Sequence, residues 1–397
     1  MKVCFETFGC RLNKAEALQM EAEYLSRGWE LIDTHSEADL FVVRGCSVTA
    51  RAQHECEKLL AHLRRRYPTT PIRVCGCIDE AHRALKKLSA ADSNRPQLTD
   101  VEQSASQAIP TRTARAYLKV QDGCAGKCTF CIVPKFRGAS VSMHFNEVLD
   151  RARRFIDAGY HEIVVTGCNL SLYASGDKRL PELLADLAEL SPDCRIRLGS
   201  LEPGACALET VSVFAEHANI CRYLHIPAQS GSNRILMAMR RPYLTHDVDA
   251  LVAAATERMP LIGLSCDLMT GFPDETEIDF NATRGLILRN PFSNAHIFPY
   301  SRRPGTLAAA FGGQVPHDVR SARAHELSRI MREARRRFAR KFVGKTVEIV
   351  VEEKDKTVGW TSEYLRCKSV SGKVQRKSSA HIFVTRTDGD RLYGHLA

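Results

Sequence analysis

The sequence predicts an α/β protein in three parts: an N-terminal three-layer α/β domain, a partial barrel of six β/α units, and a small C-terminal all-β barrel. Strand and helix patterns alternate over residues 1–90 and again over residues 114–318. The last segment, residues 342–397, instead carries short strand patterns separated by Gly and charged turns. The alternation is typical of parallel sheets covered by helices, whereas short strands without helices favour a small barrel.

A linker and a basic helix separate these parts. Residues 91–113 are rich in Ser, Gln, Asn, Pro and Thr without apolar periodicity, which predicts a linker. We therefore divide the chain at residues 1–90, 91–113, 114–341 and 342–397. The 114–341 segment ends in a helix with nine Lys/Arg against two acids between Arg320 and Lys341. This Arg density favours a polyanionic partner over an ordinary solvated face.

Bulk composition excludes two classes of protein. The N-terminus, MKVCFETFGC, has no apolar run of the kind that a secretory leader needs, and no stretch approaches a membrane span. We expect a cytoplasmic protein with no membrane association. Its fifteen cysteines are then not a disulfide framework, since the cytosol keeps thiols reduced. Metal ligation, catalysis or burial must account for them.

The N-terminal domain reads as repeated strand–helix units that each end near a cysteine. The predicted elements are a strand at Lys2–Phe8, a helix at Lys14–Arg27, a strand at Asp39–Val43, a basic helix to about Tyr67, and a strand at Ile72–Val74. Cys10, Cys46 and Cys77 follow the three strands at intervals of 36 and 31 residues, about the length of a βαβ unit. Because the carboxyl ends of adjacent parallel strands lie together, these three cysteines should converge at one sheet edge.

The central segment predicts six strands with helices between them. The strands are expected at Tyr117–Gln121, Glu162–Thr166, Arg195–Gly199, Tyr223–Ile226, Leu261–Met269 and Asn294–Tyr300, and helices at Asn146–Ala158, Leu183–Leu190 and Glu275–Arg289, among others. Six units predict a partial barrel whose functional face is the carboxyl end of its strands. The C-terminal segment predicts strands at Thr346–Val351, Arg366–Ser369 and His381–Thr385.

The stretch GCAGKCTFC, which follows the first strand of the partial barrel, places three cysteines on one loop. Cys124, Cys128 and Cys131 are separated by four and three residues. Zinc sites favour two C-x₂-C pairs, and only one occurs here. Three thiolates can instead hold three corners of an iron–sulfur cubane and leave one iron open to a small molecule. The position of the loop at the functional end of the barrel favours the cluster over zinc or three buried thiols.

The C-x₃-C-x₂-C loop resembles the radical S-adenosylmethionine (SAM) superfamily, and further strings narrow the resemblance to its methylthiotransferase family. These strings are TFGCRLN, GCSVT, VCGC, CTFCIVPKFRG, RLGSLEP, LHIPAQSGS, GFPDETEIDF and FPYSRRPGT, in this order along nearly the whole chain. The family has an N-terminal cysteine domain, a radical SAM core and a C-terminal RNA-binding TRAM barrel, which correspond to our three parts.

The resemblance implies two [4Fe-4S] clusters and SAM as cofactors. Cys124, Cys128 and Cys131 match the ligands of the cluster that binds SAM. Cys10, Cys46 and Cys77 match those of an auxiliary cluster, with Cys75 as the alternative to Cys77. The implied reaction inserts sulfur and a methyl group at an unactivated C–H bond. One SAM supplies the methyl group and a second supplies the radical.

Branches of the family differ in substrate. Two act on adenosine 37 of tRNA carrying either a threonylcarbamoyl or an isopentenyl group, and a third acts on an aspartate of ribosomal protein S12. The strings GCRLN, CSVT and AHIFPYS resemble the threonylcarbamoyl branch, which we favour. The resemblance implies the tRNA anticodon loop and a low-potential electron donor, such as flavodoxin or ferredoxin, as partners of a monomeric enzyme. The sequence does not identify the sulfur donor. The alternative that the protein is a non-catalytic iron–sulfur module that binds RNA also stays open.

Other side chains are candidates for cofactor or substrate contacts. Asn169, Glu202 and Gln229 fall at predicted strand ends, where they would contact SAM or merely cap loops. Phe130 lies between two candidate ligands, and its backbone would approach the adenine. Arg303 would meet a substrate carboxylate or phosphate. In the C-terminal segment, Lys345 and Arg366 with Trp360 and Tyr364 would form an RNA surface, unless the two aromatics are barrel core. Cys168 is the remaining cysteine nearest the predicted pocket.

Overall fold

The computed structural model describes residues 1–46, 48, 50–78, 109, 114–351, 357–375 and 378–397, and it describes residues 50 and 51 by their backbone only. Apart from residue 109, the predicted linker lies outside the described residues. Across the described part of the chain, every helix is too short or too polar to pass through a membrane.

The N-terminal domain is a parallel four-stranded sheet between two helices. Its elements are β1 Lys2–Thr7, α1 Arg11–Ser26, β2 Glu30–Ile32, β3 Leu40–Cys46, α2 Ala50–Arg66 and β4 Ile72–Cys77. The strand order is β2-β1-β3-β4, so the ends of β1, β3 and β4 are neighbours. Met20 of α1 packs on one face of the sheet with Val3 and Val42, whereas Leu60 of α2 packs on the other with Phe41. The predicted three-layer arrangement is confirmed.

The central domain is the predicted partial barrel. Its strands are β5 Arg115–Lys119, β6 Glu162–Thr166, β7 Arg195–Leu198, β8 Tyr223–Gln229, β9 Gly263–Thr270 and β10 Asn294–Pro299. They pair in parallel as β7-β6-β5 and β8-β9-β10, and the bridges Ile196↔Ile220 and Ser200↔His225 join the two halves. The six strands form one arc, with β5 and β10 at its ends. Parallel pairing puts all six carboxyl ends at the same face.

Helices cover the outside of this arc. They are α3 Val133–Arg137, α4 Phe145–Asp157, α5 Leu180–Glu189, α6 Ala205–Glu216, α7 Asn233–Ala238, α8 Thr245–Arg258, α9 Glu277–Arg289 and α10 His317–Arg340. Helix α5 begins three residues before its prediction because Pro181 occupies its first turn, where proline is tolerated. Leu183, Val211, Leu251 and Leu286 pack from the helices into one apolar core with the strands.

The C-terminal domain is a closed five-stranded barrel. Its strands are β11 Thr346–Val350, β12 Val358–Thr361, β13 Arg366–Ser369, β14 Ser379–Asp388 and β15 Arg391–Leu396, in the order β11-β12-β13-β15-β14. The sequence predicted only three of these strands. Closure leaves no free strand edge, which is how a barrel this small protects its backbone hydrogen bonds. Phe338 and Phe342, at the end of α10, pack into the barrel core.

A buried carboxylate organises the contact between the two barrels. Glu162 on β6 is fully buried and accepts hydrogen bonds from Arg197 Nε at 2.7 Å and Arg195 Nε at 3.1 Å. The same two arginines donate to the carbonyl oxygens of Thr361 and Trp360 in the small barrel. Burial alone would raise the pKa of Glu162, but the surrounding guanidinium groups hold it well below its usual range.

The aromatic pair of the small barrel belongs to this contact. Trp360 and Tyr364 stack with ring centroids 4.7 Å apart, and Tyr364 lies against Tyr223 of the partial barrel, also at 4.7 Å. Arg197 lies over the Tyr364 ring at 5.0 Å. The two sequence alternatives, an RNA surface or the core of the small barrel, are both wrong for Tyr364. It packs between the domains because strands β6 to β8 present arginines and an aromatic there.

We expect Glu162→Gln to loosen the docking of the small barrel. Removing this charge leaves Arg197 buried without its ion-pair partner and Arg195 with only Glu348, at 3.8 Å, and breaking a buried pair in this way costs about 3–5 kcal/mol. The melting temperature of the apoprotein should fall, and limited proteolysis should release the C-terminal barrel earlier. The matched control is Asp150→Asn, which breaks an exposed pair with Arg153 and should change little. Equal behaviour of the two variants would contradict this account.

Candidate metal centres

Three cysteines from distant parts of the chain meet at one edge of the N-terminal sheet. Cys10 is the N-cap of α1, just after β1, and Cys46 and Cys77 are the last residues of β3 and β4. Cys46 and Cys77 are register partners on adjacent strands. Both are buried, whereas Cys10 is exposed. The structure thus brings the three residues together as the strand-end argument predicted, with one side of the group open. We call Cys10, Cys46 and Cys77 the strand-edge triad.

The chain leaves room for a bulky group at this edge. Gly9 has a φ of +93°, and a Cβ placed there would lie 2.7 Å from Cys46 Cβ and 3.0 Å from its Sγ. Any larger residue would therefore crowd the sulfur. Cys75, the alternative third residue, lies two positions before the strand end. It is buried with Met20 and Val3, and Arg44 Nη1 donates to its Sγ at 3.6 Å. This favours Cys77 as the third member.

The second group of cysteines, which we call the loop triad, lies on the loop between β5 and α3, at the carboxyl end of the partial barrel. Cys124, Cys128 and Cys131 are all half-buried. Gly126 donates its N–H to Cys124 Sγ at 3.2 Å, and a Cβ at Gly126 would lie 3.1 Å from that sulfur. Burial raises the pKa of the Cys131 thiol to about 11, so the free thiol stays protonated at neutral pH. Ligation to a metal would have to displace that proton.

Each triad has a guanidinium N–H donated to one of its sulfurs, from Arg241 to Cys128 and from Arg137 to Cys77. A donor of this kind suits a thiolate ligand because it offsets the negative charge on the sulfur.

Arg241 provides that donor at the loop triad and connects it to polar strand ends. Its Nη1 donates to Cys128 Sγ at 3.1 Å, and its Nη2 pairs with Glu202. Glu202 Oε2 accepts a hydrogen bond from Asn169 Nδ2 at 2.9 Å. Two of the predicted cofactor contacts, Asn169 and Glu202, therefore lie in one network with the loop. Sequence reasoning missed Arg241 because the basic pair Arg240-Arg241 gives no signal of facing a thiol 113 residues away.

Arg137 provides the donor at the strand-edge triad, although it belongs to the other domain. It ends α3, six residues after Cys131, and is buried. Its Nε donates to Cys77 Sγ at 3.1 Å, and its Nη1 donates to Glu16 Oε1 and Asp122 Oδ1, both at 2.9 Å. Arg137 thus contacts Cys77 of the strand-edge triad, while its own helix α3 follows the loop that carries the loop triad.

Two carboxylates keep Arg137 in place. Glu16 on α1 is also paired with Arg44 and, at 3.2 Å, with Lys119. Burial would raise the pKa of both carboxyl groups, but Arg137 and the neighbouring cations lower each to about 2. Glu16 and Asp122 are therefore ionised at all physiological pH values. The network fixes the N-terminal domain against the partial barrel beside Cys77 of the strand-edge triad.

The other candidates divide between the two sites. Cys168 Sγ lies 3.6 Å from Asp122 Oδ1, and therefore beside the Arg137 network. Gln229, at the end of β8, has a φ of +62°, and its buried Oε1 has no hydrogen-bond partner among the described residues. The ring of Phe130 lies edge-on to Phe272 at 6.5 Å, so its side chain packs in an apolar cluster.

The three candidate substrate contacts lie in different places. Arg303 follows β10, and its Nη1 donates to Gln53 Oε1 of α2 at 3.1 Å. Partial burial lowers the pKa of Arg303, and the neighbouring Cys46 opposes that shift. Arg366 lies beneath Trp360 at 5.7 Å, and Lys345 is exposed in the turn before β11. The structure thus brings Arg303 to the strand-edge triad but places Lys345 and Arg366 in the small barrel.

Comparison with known families covers both cysteine-bearing parts of the chain. Residues 2–95 match the uncharacterized protein family UPF0004, and residues 118–287 match the radical SAM superfamily. Among curated proteins, the chain is 31% identical to the threonylcarbamoyladenosine tRNA methylthiotransferase MtaB of Bacillus subtilis, covering 92% of this chain and 89% of the relative. It is 30% identical to the tRNA-2-methylthio-N(6)-dimethylallyladenosine synthase of Jannaschia sp., covering 100% and 94%.

Among solved structures, the fold is similar to that of the radical SAM methyltransferase TsrM from Kitasatospora setae. The TM-score is 0.56 at 14% identity, with 78% of this chain and 77% of that chain covered. At this identity the likeness concerns the fold alone. It agrees with the partial barrel and its N-terminal α/β domain.

Proposed function

The chain belongs to the radical SAM methylthiotransferase family, whose cofactors are [4Fe-4S] clusters and SAM, and from that premise we propose that it adds a methylthio group to C2 of N6-threonylcarbamoyladenosine 37 in tRNA. When bound, one cluster with SAM would supply the radical that removes the substrate hydrogen, and the other would supply the sulfur. The proposed enzyme is cytoplasmic and monomeric, and it takes electrons from a low-potential donor.

In this proposal each triad holds one cluster and leaves one iron without a protein thiolate. Cys124, Cys128 and Cys131 hold the cluster that binds SAM. Asn169 and Glu202 offer an amide and a carboxylate beside it for the amino and hydroxyl groups of SAM, and Arg241 keeps Glu202 oriented. Cys10, Cys46 and Cys77 hold the auxiliary cluster. The space between the two clusters would have to be closed to water during the reaction, to protect reactive species.

The single observation that favours the threonylcarbamoyl substrate is Arg303. Its Nε and Nη2 are buried and have no hydrogen-bond partner among the described residues, and it lies near Cys46. Buried donor nitrogens without partners are costly. The threonyl group of the substrate ends in a carboxylate, which can pair bidentately with a guanidinium. An isopentenyl group is apolar and would offer no acceptor to Nε and Nη2 of Arg303.

Mass spectrometry of tRNA nucleosides tests this substrate. In a strain lacking the gene, 2-methylthio-N6-threonylcarbamoyladenosine should disappear while the unmethylthiolated nucleoside accumulates. Any methylthiolated isopentenyladenosine should be unchanged. Loss of the isopentenyl product instead, or persistence of the threonylcarbamoyl product with no other gene able to make it, would refute the assignment.

Complementation of that strain tests the role of Arg303. Wild-type protein should restore the product, whereas Arg303→Gln should restore less than about 10% of it, since loss of one charged pair costs at least about 1.4 kcal/mol. The matched control is Arg302→Gln, an exposed neighbour whose Nε donates only to the Ala309 carbonyl. It should restore the product fully.

A further inference from the structure

Helix α10 carries a row of arginines on its solvent face. Arg329, Arg332, Arg336 and Arg340 are exposed and spaced by three, four and four residues. At 100° per residue these positions stay within about 80° of one another around the helix axis. They form one strip, about 16 Å long at 1.5 Å per residue. We call this strip the arginine ridge.

The charges of the ridge are not neutralised within the described residues. Arg329, Arg332 and Arg340 make no ion pair with any described residue, and Arg336 meets only the exposed Glu333, at 3.8 Å. Two arginines on other faces of the same helix behave differently. Arg323 is buried against Glu275 at 2.7 Å, and Arg335 pairs with Asp390 at 2.5 Å. The helix therefore pairs Arg323 and Arg335 with carboxylates and presents the ridge arginines, together with Arg337, to solvent.

Helix α10 connects the partial barrel to the small barrel. Its first turn lies at the carboxyl ends of β9 and β10, where Thr270 Oγ1 donates to the Arg320 carbonyl. Its last turn enters the small barrel through Phe338. The helix thus leads from the face that carries the loop triad towards the C-terminal barrel, and the arginine ridge occupies its C-terminal half.

We propose that the arginine ridge binds the phosphate backbone of the tRNA stem while the anticodon loop occupies the face that carries the two triads. This inference rests on the proposed tRNA substrate. Guanidinium forks fit phosphate oxygens, and regularly spaced arginines match a polymer with regularly spaced charges. Because the ridge consists of arginines that contact phosphates, we expect it to bind RNA without regard to base sequence.

Binding of tRNA to the reconstituted enzyme at several salt concentrations tests the ridge. The test variant replaces all four ridge arginines with glutamine, which keeps the helix propensity. Each phosphate contact contributes about 0.7–0.9 to the slope of log affinity against log salt. We expect the variant to lose about three units of that slope, and its affinity to fall at least about tenfold near 0.15 M salt. The single variants Arg332→Gln and Arg340→Gln should each lose somewhat less than one unit.

The control removes the same net charge elsewhere. It replaces Arg153, Arg154, Arg258 and Arg289, which are exposed on α4, α8 and α9, with glutamine. This protein should keep the wild-type slope. If the ridge variant keeps it too, or if both variants lose it equally, the inference is wrong while the tRNA substrate stands. If the wild-type enzyme itself fails to bind tRNA, the proposed function is wrong. If the wild-type enzyme binds an acidic protein but not tRNA, and only the ridge variant loses that binding, the partner of the ridge is an acidic protein and not RNA.

Discussion

Replacing Cys46 with alanine is expected to halve the iron content and abolish methylthio transfer while leaving SAM cleavage intact. The wild-type protein should hold about eight iron atoms after anaerobic reconstitution, since two cubanes carry four each. Cys46 lies at the end of β3, on the strand-edge triad, and has no part in the loop that carries Cys124. The variant should therefore retain about four iron atoms and still form 5′-deoxyadenosine with a reductant.

Two further variants make this result specific. Cys128→Ala should also lose half of the iron, but with it SAM cleavage, because Cys128 belongs to the loop triad. Cys75→Ala is the matched control in the N-terminal sheet, since Cys75 is buried among Met20 and Val3. It should keep both clusters at some cost in stability. If Cys46→Ala kept the full iron content, or if Cys75→Ala lost half of it, our assignment of the ligands of the auxiliary cluster would be wrong.

Replacing Arg137 with methionine is expected to destabilise the contact between the two sites by about 3–5 kcal/mol. Methionine keeps the apolar bulk but removes the cation shared by Glu16 and Asp122. It also removes the N–H donated to Cys77 Sγ. The melting temperature of the apoprotein should fall, and iron should be lost from the strand-edge site before the loop site. Lys119→Met removes another buried cation of the same network and should have a smaller effect, because its contacts with Glu16 and Asp122 are longer, at 3.2 Å, and it donates no hydrogen bond to Cys77.

Arg137→Lys separates charge from hydrogen bonding. Lysine keeps the cation near Glu16 but cannot reproduce the Nε–H bond to sulfur, and hydrogen bonds to ligand sulfurs shift cluster potentials. We expect near-normal stability and a more negative midpoint potential of the auxiliary cluster. A redox titration monitored by electron paramagnetic resonance measures that potential. An unchanged potential would mean that Arg137 acts only as an ion-pair partner.

The pH dependence of the Arg137→Met effect follows from the carboxylates. The pKa values of Glu16 and Asp122 fall from about 4 in the unfolded chain to about 2 in the fold, so their stabilisation is complete above about pH 5. It is lost as the pH falls towards 2. The stability difference between wild type and Arg137→Met should therefore be constant from pH 5 to 8 and shrink below pH 4.

The sequence was sufficient for the elements and for the convergence of distant cysteines. Strand β6 has its predicted bounds, and β3 and β4 bring Cys46 and Cys77 together as the length of the βα units required. It was less informative for the small barrel, where β12 and β15 were missed. Short strands with alternating polar and apolar residues give a weak pattern, and pairing partners decide whether they form.

What the sequence alone determined is the chemistry that the chain carries: cysteine spacing on one loop, cysteines after successive strands, and a strongly basic helix. These features depend on near neighbours and on the periodicity of each element, which a sequence records directly. Only the tertiary structure decided which side chains serve each thiol. Arg137 reaches Cys77 and Arg241 reaches Cys128 across 60 and 113 residues of chain. Such contacts arise from the packing of one element on another, which no local pattern specifies.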